Sequence, residues 1–135
     1  MRSRRVVLLL LALSVLSVGL WAAVAPTSFF EDFPLGRGWV GADGPYNEHL
    51  VRDVGALHLA LAVIILAAWR FAEPRWIRVA ALATLIFAGP HWLYHAVNLE
   101  PLGTVDAVAQ TVLLTLQVAA AVWLLGWPAP AARTP

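Results

Sequence analysis

Two histidines, His91 and His95, stand four residues apart in an otherwise apolar stretch. On a helix this spacing stacks the two imidazoles on one face, where they could take one metal ion together. A zinc-type site needs three or four ligands, and Asp106 is the first candidate to complete a divalent metal site with His91 and His95. His49, Asp53, Glu48, His58 and Glu100 stand behind it. No Glu follows His91 as it would in H-E-x-x-H, and H-x-x-x-H alone is a common pattern. The same pair supports two other chemistries. The imidazoles could hydrogen-bond Asp106 and Gln110 across helices and simply lock them together. Alternatively, one could act as a general base oriented by Asp106 or Asp53. No Ser stands beside a His and the chain has no Cys, so covalent catalysis is disfavoured.

The densest polar segment is Gly44-Pro45-Tyr46-Asn47-Glu48-His49-Leu50-Val51-Arg52-Asp53-Val54-Gly55. Asn47 is placed to cap a helix and Glu48 to complement its positive end. Glu48 with Arg52 and His49 with Asp53 are both i, i+4 pairs. They make either a charge-neutralised helix entrance or one wall of a ligand site. The candidate ligand-binding set is Glu48, His49, Arg52, Asp53, His91, His95 and Asp106. His58 projects roughly 140° away from Asp53 on the same helix and reads as a buried partner rather than a ligand.

The elements that must position these residues follow from composition. With 61% hydrophobic and 13% charged residues and a mean hydropathy of +0.76, the chain carries more apolar surface than a 135-residue water-soluble domain could bury. A bilayer supplies the missing apolar solvent, and crossing it takes about 20 apolar residues per helix. Four runs qualify: about 6–25, 50–71, 77–99 (interrupted at Gly89-Pro90) and 105–127. The expected fold is all-α: a membrane-embedded up-down-up-down four-helix bundle forming a single integral membrane domain over 1–135. An outer loop covers about 26–49 and a disordered Pro/Ala-rich tail about 128–135. Ala23-Val24-Ala25 resembles a signal cleavage site, but the apolar core is long and Pro26 would follow the cut, so an uncleaved anchor is expected.

At about 100° per residue, Thr84, His91, His95 and Asn98 fall within roughly 60° of one another on the third span. Asp106, Gln110 and Gln117 fall within about 40° on the fourth. These stripes should face each other or His58. Arg2, Arg4, Arg5, Arg70, Arg75, Arg78 and Arg133 share one side, whereas seven of the eight acids and the histidines lie toward the other. The arginine bias predicts a cytoplasmic-membrane protein with both termini in the cytoplasm. Gly36-Arg37-Gly38-Trp39-Val40-Gly41 matches G-x-G-x-x-G formally. No strand delivers it to a helix, so it reads as glycine turns in a surface loop. The net charge of +1 gives no reason to expect a nucleic-acid partner, the absence of cysteine excludes disulfides and thiolate metal sites, and the absence of lysine excludes Schiff-base chemistry.

The runs F-P-x-G-x-G-W (Phe33 to Trp39), G-P-Y-N-E-H-L-V-R-D-V-G (Gly44 to Gly55) and P-H-x-x-Y-H (Pro90 to His95) resemble uncharacterised actinobacterial four-span integral membrane proteins. A weaker similarity, of architecture, is to DoxX-like membrane proteins. The resemblance implies fold and membrane location and carries over no catalytic residue. The expected function is a binding or accessory membrane protein whose partner is the lipid bilayer, with a lipid-like ligand, a divalent metal, a membrane protein or a second copy as candidate occupants. Alternatives are a membrane-embedded enzyme using His acid/base chemistry on a lipid-like substrate, and a small metal- or proton-linked transporter.

Overall fold

The computed structural model describes residues 2–126. These described residues form six helices: α1 (Arg2–Val24), α2 (Pro26–Asp32), α3 (Trp39–Ala42), α4 (Glu48–Phe71), α5 (Pro74–Val97) and α6 (Thr104–Leu125). No strand occurs among the described residues. The four long helices have 22 to 24 residues. At about 1.5 Å per residue each exceeds the roughly 30 Å hydrocarbon core of a bilayer. Their outward faces are apolar, with Leu10 62%, Leu57 70% and Ile86 76% exposed, which suits lipid and not water. The chain is a multi-pass membrane protein.

Local signals set most boundaries. Pro26 starts α2 directly after α1, and Pro74 starts α5, both at positions whose missing N–H costs nothing. Asn47 caps α4, its side chain accepting from the Leu50 N–H at 3.1 Å. Ala72 ends α4 in the left-handed conformation. Two expectations change. The connection over 26–49 is not a plain loop, because it folds into α2 and α3. Nor do Gly89 and Pro90 interrupt the third span, since α5 runs through both. Proline removes one helical hydrogen bond there, which a long membrane helix tolerates. Trp127 and the tail, including Arg133, lie outside the described residues.

Packing is uneven along the bundle. α1 lies chiefly on α4 and α5 on α6; α4 joins α5, and α1 meets α6 only thinly. The α1–α4 approach is set by two glycines. A Cβ on Gly55 would stand 2.5 Å from the Ala23 nitrogen, and one on Gly19 3.0 Å from the Leu59 nitrogen. Toward the end that carries Arg2, Arg5, Arg70 and Arg75, all four helices share one core through Leu8, Val15, Leu61, Ile65, Ile77 and Leu124. Toward the opposite, acidic end that core stops, and the helices surround a cavity.

Candidate functional site

The cavity has a volume of about 310 Å³. Ser14, Val15 and Val18 of α1 line one side, and Leu113, Leu114, Gln110 and Gln117 of α6 the side where α1 and α6 fail to close. Val54 and His58 from α4 and Phe87, His91 and His95 from α5 complete the wall. Phe29, Phe33, Trp39, Val40 and Asp43 lie over it as a cap.

The cap is held in two ways. Aromatic edges knit it to α1: Trp21 meets Phe29 at 6.0 Å and Phe33 at 5.9 Å between ring centroids, and Phe33 meets Trp39 at 6.3 Å. Such pairs contribute beyond the area they bury. At its far side, Arg37 Nη1 donates to Asp106 Oδ1 at 2.5 Å and Trp39 Nε1 donates to the same oxygen at 3.0 Å. Gly36 and Gly38 have φ of +80° and +65°, the left-handed turns that bring Arg37 and Trp39 around. The glycine-turn reading of this segment therefore holds, but as the fastening of a cap and not as surface decoration.

Inside the cavity the polar groups form a ladder. His58 and Phe87 meet edge-on at 4.7 Å, Phe87 stacks on His91 at 5.1 Å, and His91 meets His95 edge-on at 4.6 Å. His95 Nε2 lies 4.0 Å from Asp43 Oδ2 in the cap. His58 Nδ1 is 2.8 Å from the Val54 carbonyl oxygen. A carbonyl only accepts, so Nδ1 carries a proton, and in the neutral ring Nε2 is then the acceptor. Gln110 is 5% exposed, and its Oε1 is buried with no hydrogen-bond partner. An unpaired buried acceptor costs free energy unless something donates to it.

The seven candidate ligand-binding residues thus separate. His91 and His95 line the cavity. Asp106 is engaged by Arg37 and Trp39 at the rim. Glu48 pairs with Arg52 at 2.8 Å on the outside of α4, and His49 with Asp53 at 3.2 Å, His49 being 87% exposed. Arg52 also donates to the Ala23 carbonyl at 2.6 Å, a cation on the C-terminal end of α1. No three His, Asp or Glu side chains converge as metal ligands among the described residues. No hydrogen bond links His91 or His95 to Asp106 or Gln110 in the described residues; Thr84 and Asn98 instead return to carbonyls of their own helix.

Sequence reasoning missed Asp43, Trp39 and Arg37 as parts of the site, and gave His58 as a buried partner that the polar stripes could face and as a reserve metal ligand only. For His58 the signal was present, since its ionisable side chain sits at the centre of a span. For Asp43 no local pattern marked it, because its neighbour His95 is 52 residues further along and the approach is made by the cap.

No curated protein and no solved structure matches the chain. Residues 3–91 match the family described as "Domain of unknown function (DUF4345)"; that stretch runs from α1 through the cap and α4 to His91, and the chain belongs to this family.

Proposed function

We propose that this protein binds a single-chain amphipathic molecule whose head donates hydrogen bonds, such as a long-chain alcohol, in the cavity beneath the cap. The observation that carries the reading is the buried Gln110 Oε1 without a donor, in a mostly apolar cavity that also holds His58, His91 and His95. The lining includes one carboxylate, Asp43, and no arginine, which favours a neutral or cationic head over an anionic one. Its volume stands at the small end of the roughly 300–1,000 Å³ range of ligand pockets, which suits one chain and not a two-chain lipid. The arginines at the ends of α1, α4 and α5 support an orientation with those ends in the cytoplasm. The cavity then opens toward the outer half of a cytoplasmic membrane.

The test uses protein in nanodiscs of defined lipid and the thermal shift produced by dodecanol. Dodecanol should raise the melting temperature of the wild type, and dodecanoate should not. Val18→Trp, which fills the cavity, should abolish the shift. A shift that survives Val18→Trp, or none in the wild type, overturns the reading. Metal content measured on the same samples addresses the other occupant: zinc retained by wild type and lost in the His91→Ala, His95→Ala double variant would put a metal at the histidine pair.

A further inference from the structure

We infer that the ligand reaches the cavity sideways from the bilayer, through an apolar groove between α4 and α5 that accepts a single acyl or alkyl chain. The inference rests on the proposed binding role of the cavity and adds the source and route of its occupant. The groove has a volume of about 280 Å³ and is lined by Leu57, Ala60, Leu61, Ile64 and Ala83 together with His58 and Phe87.

Three observations converge on it. First, His58 and Phe87 line both the groove and the capped cavity. The T-shaped pair they form, 4.7 Å between centroids, is the partition between the two spaces. Second, the groove lies at mid-helix on both elements, within segments long and apolar enough to cross a membrane. At that depth the surrounding solvent is hydrocarbon, so the matching occupant is a chain of the bilayer itself. Third, its sides are built by small residues, Ala60 and Ala83, between larger apolar ones. Small residues leave a furrow between two helices where leucines would close it.

The partition has the properties of a passable barrier. Phe87 is only partly buried, and an aromatic ring moves by changing rotamer without disturbing helix hydrogen bonds. His58 is tied to its own helix through Val54, which leaves the phenyl ring as the moving part. A chain passing it meets apolar surface on both sides, whereas the route beneath the cap passes the Arg37–Asp106 ion pair and Asp43. The polar head would follow the chain and stop at the imidazoles and Gln110.

Photolabelling in nanodiscs tests the route, using a dodecanol that carries an alkyl diazirine, with labelled peptides mapped by mass spectrometry over time. In the wild type, labels should reach Leu113 and Leu114 in the cavity after those on Leu57 and Ile64 in the groove. Ala60→Trp, at an exposed position that bundle packing does not use, should slow cavity labelling at least fivefold with the final extent unchanged. Arg37→Ala, which removes one of the two donors that hold the cap to Asp106, should not accelerate cavity labelling. Cavity labelling that is insensitive to Ala60→Trp and accelerated by Arg37→Ala would overturn the lateral route while leaving the binding role intact. Labelling confined to the groove at saturating probe would overturn the route by removing the binding role it rests on.

Discussion

Arg37 and Asp106 meet at 2.5 Å although 69 positions separate them in sequence, and Trp39 donates to the same carboxylate oxygen. One oxygen on the first turn of the last span therefore fastens the cap that closes the cavity. Replacing it should affect the cap more than either donor alone. Asp106→Leu removes both contacts, Asp106→Asn keeps an acceptor for Trp39, and Arg37→Ala removes only the half-exposed cation. Amide hydrogen exchange over 33–43 should accelerate most in Asp106→Leu and less in the other two, with exchange in the α1–α4 core unchanged. Equal protection in all three would mean the aromatic cluster holds the cap alone.

Gln110 poses stability against binding. Its Oε1 is buried and unpaired, so Gln110→Leu should stabilise the ligand-free protein by about 1 kcal/mol or more, the order of cost of an unsatisfied buried acceptor. The same substitution should abolish the dodecanol-induced thermal shift. Reversible unfolding in detergent measures the first effect. A clear loss of stability would show that the amide serves packing.

The glycines of α4 and α5 should respond oppositely to alanine. At Gly55 a Cβ would stand 2.5 Å from backbone nitrogen and 2.9 Å from the Cα of Ala23, atoms that cannot rotate away. Gly55→Ala should cost at least about 1–3 kcal/mol, the range for overpacking. At Gly89 nothing lies within 4 Å of an added Cβ, so Gly89→Ala should be neutral or stabilising by up to about 1 kcal/mol through helix propensity. The two variants, compared by midpoint of unfolding, check the α1–α4 crossing.

Arg52 joins Glu48 to the last turn of α1. Arg52→Ala should therefore lower stability by roughly 0.5–2 kcal/mol, as for a lost charged hydrogen bond at a partly exposed helix end, while dodecanol still shifts the melting temperature. His49→Ala, at the exposed pair with Asp53, should alter neither by more than about 0.5 kcal/mol. Loss of the dodecanol response in either variant would put the outer face of α4 in the site.

The amino-acid sequence by itself determined the solvent and the four spans. Four runs of about 20 apolar residues must be helical in hydrocarbon because every backbone polar group must be paired within its own segment, and the Asn47 cap and the Pro26 and Pro74 helix starts are local chemistry. The polar faces of the third and fourth spans were legible from helical period alone, and His91, His95, Gln110 and Gln117 do line one space. Tertiary structure decided the rest. Asp106 shares a face with the two glutamines, yet it serves the cap, because Arg37 and Trp39 reach it across 69 and 67 positions. The G-P-Y-N-E-H-L-V-R-D-V-G run, rich in ionisable groups, reads from sequence either as a charge-neutralised helix entrance or as one wall of a site. Only the fold shows that Arg52 ties down the end of α1 and that Gly55 admits its backbone. Whether a polar side chain faces a cavity, a neighbouring helix or the exterior depends on which helices touch, and that is set by packing between residues far apart in the chain.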